Sequence, residues 1–256
     1  MYNYNILDLK GFFIMKAIIL AAGKGKRLLS ETMNMPKVLR RAAGKPLISH
    51  VLGNIDFIKD EDITIVAGYK REMVVEHLGE KYTYAIQEEQ KGTGHAVMMA
   101  KDLFKDYDGD VLILYGDMPL LKKNTYQNLI KAHIDSGADC TVLTATTEEK
   151  LPYGRIIREN GEFLDVVEDK DCTPEQKDIK EVNVGVYVFK SKVLFDNLDN
   201  LKNNNAQGEY YLTDVPKILI GKGKKIASHT TFDATEIKGV NTPEDLDFCE
   251  KILGGQ

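Results

Sequence analysis

The feature that most constrains this chain is an apolar run that breaks into a glycine- and cation-rich loop, KAIILAAGKGKRLLSETMNMPK, residues 16–37. Ala17, Ile18, Ile19, Leu20, Ala21 and Ala22 do not alternate with polar residues, the pattern of a strand buried on both faces in a helix-covered parallel sheet. At its end, Gly23 and Gly25 let backbone N–H groups approach a ligand, while Lys24, Lys26, Arg27 and Lys37 surround the same mouth with positive charge. That combination suits phosphate. A dinucleotide-binding turn requires a third glycine where Leu28 stands, and no G-x-x-x-x-G-K-[ST] follows this strand. The alternative is a solvated basic loop.

These cations stand out because the 256-residue chain is acidic overall, with net charge −5 and pI near 5.6, which argues against a general nucleic-acid binder. The length accommodates one large α/β domain or two small ones. Cys140, Cys172 and Cys249 are widely spaced and form no C-x-x-C, so reduced thiols in a cytoplasmic protein are expected, without a zinc site. Residues 1–15 read as an N-terminal extension: Asp8 and Lys10 leave no positive leader, and Met15 stands directly before the strand. No window is apolar enough to span a membrane, and none is expected as a partner.

Along the chain, strands are expected at 63–67, 82–86, 111–115 and 140–146, with helices at 46–58, 70–78 and 122–136 between them, a βαβ rhythm. Gly92-Thr93-Gly94 opens a helix whose first N–H groups are free, and His95 there is expected to cap or pack. Strand 111–115 ends in Gly116-Asp117-Met118-Pro119. Asp117 is either a metal ligand at the carboxyl end of a parallel strand or the acceptor of an Asx-turn or helix N-cap. Beyond 151 the texture turns to hairpins, with Asn160-Gly161 between two short strands. Strand 181–190 contains Asn183 and Gly185, and an interior glycine marks the close approach of a ligand or backbone. Helix 191–201, a loop 203–214 too polar for core, strand 226–230 and helix 242–253 complete the chain. The last begins with Thr242 as N-cap, Pro243 at N1 and an acid at N3.

The strings LAAGKGKRL, PKVL, QEEQKGTGHAV, LYGDMPL, YGRIIRE, VVEDKD, EVNVGVY, NNNAQGEYYLTD and GVN occur in that order between about residues 16 and 241. Together they resemble the sugar-1-phosphate nucleotidyltransferase family, and within it the N-acetylglucosamine-1-phosphate uridylyltransferase half of the bacterial bifunctional enzymes. The resemblance implies a Rossmann-like α/β nucleotidyltransferase fold with a mostly parallel central sheet, spanning 16–256. About 16–150 would be its nucleotide-binding half and about 151–240 a β-rich sugar-binding half. It also implies Mg²⁺-dependent transfer of UMP from UTP to N-acetylglucosamine 1-phosphate by direct in-line attack.

Position by position, the resemblance implies that Leu20, Ala21, Ala22 and Gly23 hold the nucleotide through backbone contacts, with Gln87, Gly92 and Thr93 near the uracil. It gives Arg27 and Lys37 the triphosphate and its transition state. Tyr115, Gly116 and Asp117 would line the junction of nucleotide and sugar, while Gly154, Glu168 and Asn183 would hold the amino-sugar. Asp117 and Asn241 would hold the magnesium ion. The sequence departs from the family at Lys26, where a small hydroxylated residue is usual, and in extra residues around Met33-Asn34-Met35. No hexapeptide periodicity follows the last helix, so the relatives' C-terminal left-handed β-helix, its acetyl transfer and its trimer are not expected. Nothing in the residues sets the oligomeric state. Two other functions keep the same fold: transfer to a different sugar such as glucose 1-phosphate, or a silent nucleotide-sugar-binding subunit.

Overall fold

The computed structural model describes residues 15–28 and 33–255. Residues 1–14, 29–32 and 256, together with the Lys26 side chain, lie outside the described parts, and so does most of the expected N-terminal extension. Met15 is buried at 4% exposure in the main core, so it belongs to the domain and not to an extension.

In chain order the first half contains β1 (Lys16–Ala21), a small ribbon of β2 (Arg41–Ala42) and β3 (Lys45–Pro46), α1 (Leu47–Asn54), β4 (Ile63–Ala67), α2 (Arg71–Leu78), β5 (Thr83–Ile86), α3 (Thr93–Met98), β6 (Asp110–Tyr115) and α4 (Lys123–Ser136). The second half contains β7 (Cys140–Thr146), β8 (Arg155–Glu159), β9 (Glu162–Val167), α5 (Pro174–Lys177), β10 (Glu181–Lys190), α6 (Ser191–Phe195), α7 (Val215–Gly221), β11 (Ile226–Thr231) and α8 (Pro243–Gly254). The main sheet runs β11-β7-β10-β6-β1-β4-β5, with the β8–β9 hairpin attached through β10. Only β10 and the hairpin run antiparallel to their neighbours, so the central sheet is mostly parallel, as expected.

The unbroken apolar run of β1 follows from its place at the middle of this sheet. Ala17, Ile19 and Ala21 pack on one face against Ile48, Val51 and Leu129 from α1 and α4. Ile18, Leu20 and Ala22 pack on the other against Val97, Phe104 and Leu212. Each fully buried Ile or Leu contributes about 2 kcal/mol by leaving water. A third cluster, formed by Leu28, Ala42, Leu47, Leu120, Val240 and Cys249, folds α8 back onto the ribbon. It ties the end of the chain to the loop after β1.

The β8–β9 turn matches its sequence signal, since Asn160 and Gly161 both have positive φ (52° and 86°), as a two-residue hairpin with native twist requires. Two expectations change. Gly185 in β10 makes room for a side chain of the protein and not for a ligand: its φ is +85°, the ladder to β7 shifts register between Asn183 and Tyr187, and a Cβ there would run into the Tyr115 ring. The loop 203–214 is polar only in its first part. Tyr211, Leu212 and Thr213 are buried, and the Leu212 N–H donates to Thr93 Oγ1 at 3.0 Å, closing this segment over α3.

Gly185→Ala combines a left-handed backbone with a collision at Tyr115, and is expected to lower stability by about 1–3 kcal/mol. Urea unfolding of the two proteins measures this; an unchanged midpoint would show that the bulge tolerates a side chain.

Candidate functional site

The chain leaves β1 to build β4 and β5 on one side, then returns to lay β6 on the other. The carboxyl ends of β1 and β6 therefore face a crevice at the point where strand order reverses, the place where open α/β sheets bind ligands. A cleft of about 720 Å³ opens there. Its floor is the run from Leu20 to Gly23, and Gly116 closes the corner by donating its N–H to Leu20 O at 3.0 Å. Among the described residues a Cβ on Gly23 would meet nothing within 4 Å, so none of them demands a glycine at this position.

Four side chains meet in the lining of the cleft. The Lys37 ammonium is paired with the Asp117 carboxylate and donates to Asn241 Oδ1 at 2.9 Å. Arg27 donates to the same Asn241 oxygen at 3.2 Å. Both cations sit beside apolar anchors: Arg27 precedes the fully buried Leu28, and Lys37 opens a short turn whose Val38 and Leu39 are buried. Arg40 braces the loop by donating to Leu28 O at 2.7 Å. Among the extra residues before Pro36, Met35 packs against the main core and Asn34 adopts a left-handed φ of 53°.

Asp117 and Asn241, far apart in sequence, are joined by the backbone. The Val240 N–H donates to Asp117 O at 2.9 Å, and Asp245 accepts from the Asn241 and Thr242 N–H groups at 2.9 and 2.8 Å in the capping box that starts α8. The N-cap alternative for Asp117 does not hold, because α4 begins at Lys123 behind Lys122. Its carboxylate is turned to Lys37 instead.

Gln87, Gly92 and Thr93 form the opposite wall. The Gln87 side-chain nitrogen donates to Gly92 O at 3.1 Å and lies 3.0 Å from His95 Nδ1. Gly92 has φ +108°, and a Cβ there would come within 2.5 Å of Tyr210 O, so the fold itself requires this glycine.

Gly154, Glu168 and Asn183 are not among the residues lining this cleft. The Asn183 N–H donates to Gly154 O at 2.8 Å, and the Asn183 amide donates to Tyr187 OH at 2.8 Å. Glu168 accepts from Thr213 Oγ1 at 2.9 Å. Tyr115 connects the two groups, since it lines the cleft with Gln87 and Thr93 and feels the charge of Glu168. Burial raises the Glu168 carboxyl above its ordinary value, Thr213 partly opposes this, and Asp214, Asp171 and Asp169 add to it.

Sequence reasoning missed the groups that hold the Asn241 segment. Tyr153 OH donates to Ile237 O at 2.9 Å and accepts from the Gly239 N–H at 3.0 Å. Glu236 is buried at 2% exposure and accepts from Thr125, Thr231 and the Lys122 N–H. In sequence these are an ordinary tyrosine and a solvent-type glutamate; their donors come from separate elements.

Residues 16–234 match the family model described as Nucleotidyl transferase. The chain belongs to this family. Two curated relatives, each named Bifunctional protein GlmU, are 43% identical to it over 238 residues: those of Latilactobacillus sakei subsp. sakei (strain 23K) and Clostridium botulinum (strain Eklund 17B / Type B). Each alignment covers 93% of this nucleotidyl transferase chain and 51% of the relative, so the chain spans about half the length of the curated relatives it matches. A solved UDP-glucose pyrophosphorylase complexed with UDP-glucose shares the fold, with TM-score 0.75 at 19% identity over 95% of this chain and 100% of that one. No helix among the described residues is long and apolar enough to cross a membrane.

Because the folded state favours the protonated Glu168, the chain loses stability as pH rises from about 4.5, the ordinary value, through the raised one. Glu168→Gln retains an acceptor for Thr213 and removes the charge. Thermal melts should give this variant the higher Tm at pH 8, with the difference closing by pH 4. A pH-independent difference would contradict the assignment.

Proposed function

We propose that the cleft binds UTP and that the chain transfers its uridylyl group to N-acetylglucosamine 1-phosphate, giving UDP-N-acetylglucosamine and pyrophosphate. The observation that carries this is the meeting of Lys37, Arg27, Asp117 and Asn241 at the carboxyl ends of β1 and β6, above Gly23, which none of the described residues crowds. The ordered motifs and the 43% identity to the two GlmU proteins support the choice of base and sugar.

Asp117 and Asn241 already share one cation, the Lys37 ammonium, so their oxygens are directed at a common positive charge. One charged and one neutral oxygen donor suit a divalent cation completed by phosphates and water, and Mg²⁺ prefers such sites. When bound there, Mg²⁺ would neutralise the phosphates and the departing pyrophosphate.

The remaining work falls to positioning and charge. The sugar phosphate is a monoester with a second pKa near 6, so it is an anionic nucleophile at neutral pH and needs no activated serine, cysteine or histidine. Its oxygen attacks the α-phosphorus of UTP in line, the bond to the bridging oxygen breaks, and the electron pair leaves with pyrophosphate. Lys37 and Arg27 offset the charge that develops on the phosphates, and the backbone from Leu20 to Gly23 aligns the nucleotide. Tyr115, Gly116 and Asp117 line the junction, and Gly154, Glu168 and Asn183 bind the sugar.

A pyrophosphate-release assay over a grid of nucleoside triphosphates and sugar 1-phosphates tests the proposal. UTP with N-acetylglucosamine 1-phosphate should be the best pair, with activity lost in EDTA and restored by Mg²⁺. Asp117→Ala should abolish turnover, and Lys37→Ala should lower kcat about 10²–10³-fold. Absence of release from every pair would favour a silent binding subunit.

A further inference from the structure

The side-chain amide of Gln87 is held by two partners on its nitrogen end, Gly92 O at 3.1 Å and His95 Nδ1 at 3.0 Å. A backbone carbonyl can only accept, so the amide must present its NH₂ to Gly92 and not its oxygen. The second N–H of that NH₂ is then directed at His95 Nδ1, which must carry a lone pair. His95 is therefore neutral with its proton on Nε2. With both N–H groups engaged, Oε1 is the remaining end of a side chain that lines the cleft; it has no hydrogen-bond partner among the described residues and is not among the buried atoms without one.

We infer that His95 is a positioning residue for base selection: it fixes the Gln87 amide so that the cleft offers a carbonyl acceptor, and no donor, to the edge of the nucleobase. The inference rests on the reading of the cleft as a nucleoside-triphosphate site. A carbonyl at this point accepts from the ring N–H of uracil. Cytosine has a lone pair on the same ring nitrogen, so two acceptors would face each other. A site built to pair a polar group rejects the analogue that leaves it unpaired. Without His95 the amide keeps a single bond to Gly92 and can turn its NH₂ to cytosine at the cost of one hydrogen bond instead of two.

The surroundings favour the neutral ring. His95 is half-buried and stacks on Tyr210, with ring centroids 6.4 Å apart. Burial and Lys91 lower its pKa, and Glu89 partly opposes them. Protonation would direct an Nδ1–H at the amide N–H and break the arrangement.

The test compares kcat/KM for UTP with that for CTP in the full chain, with one sugar 1-phosphate. His95→Ala should reduce the UTP/CTP ratio by about tenfold, the equivalent of one neutral hydrogen bond. His95→Asn places an amide oxygen near the Nδ1 position and should restore the ratio, whereas His95→Gln should not. As the wild-type ring is protonated at acid pH its ratio should fall by more than that of His95→Asn, in which only cytosine N3 titrates; the phosphates of the two nucleotides titrate alike and cancel. Should His95→Ala fail to fold, the Asn and Gln variants and the wild-type pH profile decide. A ratio within twofold of wild type in both His95→Ala and His95→Gln overturns the inference, as does a wild type that turns over UTP and CTP equally. Absence of turnover with every nucleotide overturns the reading of the cleft itself, and this inference with it.

Discussion

The Lys37 ammonium sits between a carboxylate at the end of β6 and an amide oxygen just before α8, and through that contact three separate segments of the cleft meet. The pair is only partly open to water, with side-chain exposures of 12% and 21%, so it is screened less than a surface ion pair. Each partner is set by a different physical device. Buried Val38 and Leu39 fix the turn that carries Lys37, the parallel ladder fixes Asp117, and a capping box fixes the segment that carries Asn241. Together they give a cation held by two oxygens in the lining of a cleft.

Around this centre, polar side chains from distant elements satisfy the backbone where the loops lack a ladder of their own. Thr93 accepts from Leu212, Tyr153 bridges Ile237 and Gly239, and Glu236 gathers donors from α4, the residue before it and β11. Because buried polar groups cost free energy unless paired, such contacts both stabilise the loops and restrict them to one arrangement. The glycines of the region divide in the same physical terms. Gly92 yields to the Tyr210 backbone and Gly185 to the Tyr115 ring, whereas none of the described residues crowds Gly23.

The sequence alone determined the elements whose signals are local. Apolar runs marked β1, β4 and β6, Asn160-Gly161 marked the hairpin, and Thr242-Pro243 marked the start of α8, because burial on both faces, left-handed turn geometry and helix capping each act within a few residues. Only the tertiary structure decided which distant groups meet. It turned Asp117 from a possible cap into the partner of Lys37 and gave His95 the Gln87 amide as partner. It also assigned Gly185 to Tyr115 and brought Glu236 to three donors from different elements. No period or spacing encodes such meetings, since they follow from the order in which strands join the sheet, and a side chain's chemistry depends on partners that only this packing supplies.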